Sequence, residues 1–229
     1  MALAIFDLDN TLLAGDSDHA WLEFLSTLGI VDGEELRRAN DRYYRDYMNG
    51  ELDMGDFLRF VLAPMAAHPR RQLDAWHCQY MQERVLPMIT DASRALVRKH
   101  ADAGDTLLII TATNRFVTAP IAVELGVPTL LATEAECDDN GEFTGRSYGI
   151  PCFQEGKVER LRQWLGARGL PWEDSLSTAY FYSDSHNDLP LLELVGNPVA
   201  VDPDKILLAT AQERGWPVLS LHGSCHPVT

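Results

Sequence analysis

Basic residues are scarce in this sequence: 19 Lys and Arg stand against 34 Asp and Glu, a formal charge of −15. So acidic a chain repels nucleic acid and anionic membranes, and neither is expected as a partner. The same charge repels anionic substrates, so a phosphate ester would need a local cation or a metal. Cysteine is scarce too. Cys78, Cys137, Cys152 and Cys225 form no CxxC pair and no zinc spacing, and reduced thiols in a cytoplasm are the simplest reading. Long apolar runs are missing, and none approaches the roughly 20 residues that cross a bilayer. Residues 1–10 have no basic start and their apolar stretch stops at Asp7, so no signal peptide is expected. Internal repeats and low-complexity stretches are absent as well. What is present, 46% hydrophobic and 23% charged residues in a chain of 229, suits one α/β domain with a large insertion, or two small lobes.

The opening Leu3-Ala4-Ile5-Phe6 reads as a short buried strand that runs straight into Asp7-Leu8-Asp9. From 17 to 84 the apolar spacing is helical, with Trp21, Phe24, Leu25 and Leu28, then Tyr43, Tyr44 and Tyr47, then Phe57, Leu58, Val61 and Leu62. After that, strands and helices alternate. Helices are expected at 91–103, 116–125, 155–166, 189–194 and 205–214. Strands are expected at 106–110, 129–132, 179–182, 199–201 and near Val218. The turn signal Asp138-Asp139-Asn140-Gly141 predicts a hairpin over 134–146. This alternation implies an α/β fold: a Rossmann-like parallel sheet with helices on both faces, and a helical cap inserted after the first strand. The core is expected at 1–15 and 86–229, and the cap at 16–85. Such sheets bind ligands beyond the carboxyl ends of their strands, where Asp7/Asp9, Thr111 and Asp184 all fall.

Taken singly, these clusters have two readings. Asp7 and Asp9 could share a metal or divide two roles, or could be ordinary turn residues. Asp184 and Asp188, in Ser183-Asp184-Ser185-His186-Asn187-Asp188, suit a hard cation, but a helix cap would also use such residues. Thr111 could hold an anion with nearby amides, or only cap the next helix. Lys157 in Glu155-Gly156-Lys157 could be a solvated surface charge.

Together, in order and context, the four elements resemble the motifs of the haloacid dehalogenase superfamily, with Phe6-Asp7-Leu8-Asp9-Asn10-Thr11-Leu12 as the strongest signal. Ser183 stands where that family commonly has Gly, and the change is expected to be tolerated. The insertion and the hairpin resemble the phosphoserine phosphatase branch. Gly15-Asp16-Ser17-Asp18-His19 and Thr111-Ala112-Thr113-Asn114-Arg115-Phe116 resemble a bacterial subgroup assigned as histidinol-phosphate phosphatases.

The resemblance implies a phosphomonoesterase in which Asp7 is the nucleophile and Asp9 the general acid and base. Mg2+ would be held by Asp7, the Asp9 carbonyl and Asp184, with Asp188 in support from outside. Lys157 would neutralise charge, while Thr111 and the Ala112 amide hold a phosphoryl oxygen. A small phosphorylated metabolite is the expected partner. Asp16 and Asp18 would receive a cationic substrate group and His19 would add a hydrogen bond, unless 15–19 only caps the first helix of the insertion. Asn114 is a further candidate, and Arg115 could reach the substrate or pair with an acid of the insertion. Phosphoserine is the second candidate, a phosphotransferase on the same motifs a third, and a non-catalytic phosphate-binding module the reading from another class. Phosphoserine would also need a cation for its carboxylate, and Arg42, Arg45 and Arg59 are expected instead to be surface charges. The aromatic set Trp21, Tyr43, Tyr44 and Tyr47 is expected in the core, His68, His77 and His100 on the surface, and 222–229 as a loose tail. Monomer and homodimer are both compatible with the sequence.

Overall fold

Leu3–Phe6 is buried at every position, as a strand must be when both faces of its sheet are covered. It is β1 of the computed structural model, which describes residues 2–49 and 51–223. Next come helices α1 (Ser17–Thr27), α2 (Gly33–Met48), α3 (Met54–Ala66) and α4 (Arg70–Tyr80). A π-helical turn, Met81–Val85, leads back towards α5 (Asp91–Asp102). The chain continues through β2 (Thr106–Asn114), α6 (Arg115–Glu124), the hairpin β3 (Thr129–Cys137) and β4 (Phe143–Tyr148), and α7 (Glu155–Gly166). It ends with α8 (Trp172–Ser177), β5 (Tyr180–Ser183), α9 (Leu189–Leu192), β6 (Asn197–Val201), α10 (Lys205–Arg214) and β7 (Val218–Leu219). Among the described residues α8 is the helix that the periodicity did not announce. No described helix is long and apolar enough to cross a membrane.

The strands form one sheet in the order β4-β3-β2-β1-β5-β6-β7, parallel except for the β3–β4 hairpin. The chain builds outwards from β1 through β2 to β3, then returns to β5 on the other side. The order therefore reverses at β1, and a crevice opens at the carboxyl ends of β1, β2 and β5.

Strand alternation sorts the apolar residues into two layers. Ala4 and Phe6 join Ile109, Tyr182 and Val201 on one face, while Leu3 and Ile5 join Leu108, Phe181 and Ala200 on the other. The first layer also holds Phe24, Leu25, Leu62 and Met65 from α1 and α3. Burial of such side chains contributes about 1.5–3 kcal/mol each. The inserted helices are thus seated on the sheet's own core.

Two linkers connect the insertion to the sheet, and they run together. Ala14 N–H donates to the Met88 carbonyl at 2.8 Å, and Leu13 forms a bridge with Ile89. Gly15 lies between them with φ +155, and a Cβ there would press on Met88 Sδ at 3.2 Å.

Four expectations need correction. β2 runs to Asn114 rather than 110, because its end pairs with β3 across a bulge between Thr111 and Asn114. His77 and His100 are buried, 4% and 3% exposed. Each has partners that make burial tolerable: the Val117 carbonyl for His77, and Asp105 with the Tyr182 hydroxyl for His100. His222, expected in a loose tail, has Nε2 3.0 Å from the Asn10 carbonyl oxygen; the rest of that tail beyond 223 lies outside the described residues. Tyr44 and Tyr47 line a cavity instead of joining the core, whereas Tyr43, which also faces that cavity, is buried at 7% exposed and Trp21 is fully enclosed.

Candidate active site

Asp7 follows β1 directly, and its N–H donates to the Tyr182 carbonyl of β5 at 2.9 Å. That bond fixes the backbone from which the carboxylate projects. Lys157 Nζ donates to Asp7 Oδ1 and to Asp188 Oδ2, each at 2.7 Å. The lysine reaches both because α7 begins unusually close to the preceding loop. A Cβ on Gly156 would fall 2.0 Å from the Pro151 carbonyl oxygen, so only glycine fits there.

Ser183, at the position where Gly is common in the family, has a partner of its own. Its hydroxyl donates to Asp188 Oδ2 at 2.7 Å and accepts from Ser185 N–H at 3.1 Å. Asp188 is therefore committed to Lys157 and Ser183, and its part in any metal site is indirect.

Local pattern assigns no role to Thr11, two residues after Asp9. It is fully buried. Its hydroxyl lies 2.9 Å from Asp184 Oδ1 and 3.5 Å from Asp7 Oδ2, and it accepts from Asp184 N–H at 3.0 Å. Asp7 and Asp184 are thus held around one hydroxyl. Asp9 turns the other way. Its Oδ1 accepts from Ser17 N–H and its Oδ2 from the Thr113 hydroxyl, both at 2.7 Å.

Burial raises the Asp7 carboxyl to about 6 despite Lys157, with Asp188 adding repulsion. Burial and then Asp16 raise Asp9 to about 7. Asp184 lies well above the usual carboxylate range, through burial and the charge of Asp7. Burial alone would loosen the Lys157 proton, but Asp188 and Asp7 outweigh it and hold the ammonium above its ordinary value. The Lys157 ammonium is shared by Asp7 and Asp188, and Asp184 adds a further carboxylate beside Asp7 across the Thr11 hydroxyl, so negative charge is left without a partner. That surplus, carried on hard oxygens, suits a small divalent cation. Among the described residues no three His, Cys, Asp or Glu side chains group as a metal site. Asp7 and Asp184 would therefore need main-chain and water oxygens beside them, which is how Mg2+ is commonly held.

Above these groups lies a cavity of about 150 Å³. Thr111, Ala112, Asp16 and Asp18 line it, with Thr113 and Asn187 beside them. Tyr43, Tyr44 and Tyr47 from α2, with Phe57 and Phe153, form its aromatic side. The Tyr47 hydroxyl reaches the Ser185 hydroxyl at 2.6 Å and joins the helical insertion to the loop after β5. Helical spacing put these tyrosines on one face, but not on which side of that face the core lay.

Three expected substrate residues lie elsewhere. Arg115 forks onto Glu134 Oε1 and Oε2 at 2.8–3.0 Å and also donates to the Leu130 carbonyl, facing away from the cavity. Asn114 is buried as the cap of α6, accepting from Val117 N–H at 3.2 Å, and touches the site only through Asp18 at 3.3 Å. His19 points to Glu23 and to a smaller neighbouring cavity.

The family model of haloacid dehalogenase-like hydrolases matches residues 4–193. The histidinol-phosphatase of Neisseria meningitidis serogroup C (strain 8013) is 47% identical over 218 residues, covering 95% of this chain and 98% of its own. A solved protein of unknown function from Bordetella pertussis Tohama I is 47% identical, with a TM-score of 0.89 over 96% of this chain and 98% of that one. The phospho-aspartyl intermediate analogue of a phosphoserine phosphatase shares the fold at 17% identity, with a TM-score of 0.68 and coverage of 96% and 92%. Motifs, fold and relatives agree, and the chain belongs to the haloacid dehalogenase-like hydrolase family.

Proposed function

We propose that this protein is a magnesium-dependent phosphatase that hydrolyses histidinol phosphate through an aspartyl-phosphate on Asp7. The charge of the cavity carries the choice of substrate. Asp7, Asp9, Asp16, Asp18 and Asp188 line it, and among its described lining residues Lys157 is the sole cation. That lysine is already shared by Asp7 and Asp188. Burial, Asp16 and Asp9 all push Asp18 well above the usual carboxylate range, so this acidic end calls for a cation. Histidinol phosphate brings an amine and an imidazole and no carboxylate. Phosphoserine would need a cation for its carboxylate, but Arg42 and Arg59 are paired with Asp56 and Arg115 with Glu134. The tyrosines and Phe57 offer a flat apolar surface to a ring. Similarity to a histidinol-phosphatase supports the same reading.

In this mechanism Asp7 attacks phosphorus and forms an acyl phosphate that water later opens. Asp9 protonates the leaving alkoxide, then takes a proton from that water. Thr111 and the Ala112 amide hold a phosphoryl oxygen. Asp7, Asp184 and the Asp9 carbonyl would hold Mg2+, which would supply positive charge against the repulsion between Asp7 and the phosphate dianion. Residues 16–85 act as a cap over the core formed by 1–15 and 86–229, limiting entry to small molecules and excluding bulk water.

Phosphate release by the purified protein, with magnesium and with chelator, tests this across histidinol phosphate, phosphoserine, phosphoethanolamine and an aryl phosphate. Strong magnesium-dependent preference for histidinol phosphate is expected. Preference for phosphoserine would discard the charge argument. Asp18→Asn should raise KM for histidinol phosphate about 10- to 100-fold, the scale of one charged hydrogen bond of roughly 1.5–3 kcal/mol. The aryl phosphate, with no cation to bind, should change little.

Stability should report the metal independently of turnover. Asp7 at about 6 and Asp9 at about 7 lie above the ordinary 3.8 of an unfolded Asp. The folded form therefore binds more protons than the unfolded between those values, and the metal-free protein should lose stability as pH rises from 4 through 7. Magnesium would replace the proton on Asp7, so its stabilisation should grow as pH rises through about 6. At 100 times its Kd it should supply about 2.7 kcal/mol, or roughly 5–10 °C in Tm for a chain of this size. Thermal unfolding at pH 5.5 and 7.5 checks this, and an equal magnesium effect at both would refute it.

A further inference from the structure

The bulge in β2 gives one oxygen of Asp9 a partner unlike that of the other. Thr111 pairs with Ala132 and Asn114 with Thr133, leaving Ala112 and Thr113 as extra residues. Bulges of this kind turn a side chain out of its regular direction. Here Thr113 is turned so that its hydroxyl meets Asp9 Oδ2 at 2.7 Å. Its position is fixed on both sides. Thr113 N–H donates to the Thr111 hydroxyl at 3.2 Å, and Asn114 begins α6 by capping Val117 N–H. Thr113 is itself buried, at 6% exposed.

Asp9 Oδ1 faces Ser17 N–H. A backbone amide only donates, whereas a hydroxyl donates one hydrogen and accepts at two lone pairs. The amide occupies one lone pair of Oδ1 as a fixed donor in every protonation state, which favours Oδ1 as the oxygen without the proton. Oδ2 has a partner that can serve it with or without a proton.

We propose that Thr113 is a positioning residue that directs the proton of Asp9 to Oδ2 and aims it at the leaving group; the proposal rests on the reading of Asp9 as general acid and base. As Asp7 bonds to phosphorus, the ester P–O bond breaks and its electron pair stays on the leaving oxygen. That oxygen takes the proton from Asp9 Oδ2 and departs as the alcohol. Asp9 is left as a carboxylate with Ser17 N–H on Oδ1 and the Thr113 hydroxyl donating to Oδ2. In the second half, water bonds to phosphorus, its proton passes to Oδ2, and the acyl–phosphate bond breaks to release Asp7. Thr113 is itself unchanged in both halves.

The test compares kcat/KM, which covers events up to leaving-group departure, for histidinol phosphate and 4-nitrophenyl phosphate. The alkyl ester needs a proton on its leaving oxygen and the aryl ester departs without one. Thr113→Val keeps the side-chain shape without the hydroxyl. It should lower kcat/KM about 10- to 100-fold for the alkyl ester, part of what general acid catalysis supplies, and less than about 3-fold for the aryl ester. Thr113→Ser should restore the alkyl value. Thr113→Ala serves the same comparison if the valine variant does not fold. Equal losses on both esters would reduce Thr113 to a structural pin between β2 and Asp9, and no loss on either would remove it from the reaction. Asp9→Asn on the same two esters separates the premises. If it shows no selective loss on the alkyl ester, the acid role of Asp9 fails and the inference falls with it. If it does while Thr113→Val does not, only the role of Thr113 fails.

Discussion

Asp7→Asn should lower phosphate release by roughly 10⁵- to 10⁶-fold, the scale on which loss of a covalent nucleophile acts in other enzymes. The substitution keeps the shape of the side chain and an oxygen to accept from Lys157, which now lies 2.7 Å from Oδ1. What it removes is the anionic oxygen that bonds to phosphorus. The fold should persist, because Asp7 N–H still meets the Tyr182 carbonyl and Asp188 still holds the lysine. Acid-quenched wild-type protein caught in turnover should carry one phosphoryl group on the peptide containing residue 7, seen by mass spectrometry. The asparagine protein should carry none. Substantial turnover in folded Asp7→Asn would move the nucleophile to another residue and overturn the mechanism.

The parts of this site that could be read from sequence are those fixed by local pattern. An apolar run ending in a carboxylate marks a strand end, and that placed Asp7 after β1 and Asp184 after β5. The helix 155–166 is legible to the residue because its apolar spacing is regular. What stayed hidden depends on partners distant in sequence. Thr11 is two residues from Asp9, but its use is set by Asp184, 173 positions away. Apolar spacing ends β2 at 110, four residues short, because the bulge exists only through pairing with β3. His100 is a polar residue on a helix, and only Asp105 and Tyr182, the latter 82 positions away, make its burial tolerable. Arg115 looked available for a substrate because Glu134, its counter-charge, lies on the strand that follows. The tyrosines of α2 show the same limit. Spacing gathers them on one face, but whether that face meets a core or a cavity depends on how the helix is seated.

Lys157→Met should damage both activity and stability, and the two effects should separate. The methionine fills a similar volume but leaves Asp7 and Asp188, 7% and 3% exposed, with no ammonium between them. Breaking a buried ion pair from one side costs about 3–5 kcal/mol. Part of that cost would be avoided by protonating a carboxylate, so the variant should be least stable at alkaline pH and recover towards acid. Turnover should fall at least about 10²- to 10³-fold, because an aligned donor to the developing charge is lost. Adding Asp188→Asn to Lys157→Met removes one of the two stranded charges. The double variant should therefore unfold at a higher temperature than Lys157→Met alone, a non-additive result expected of residues in one network. Its turnover should stay low, because the asparagine carries no positive charge to replace the lysine's. A double variant that is less stable than Lys157→Met would mean that Asp188 supports the fold through the Ser183 hydroxyl more than it opposes it through its charge. A double variant that regained activity would mean that Lys157 serves chiefly to neutralise Asp188, and that Asp7 attacks phosphorus without its help.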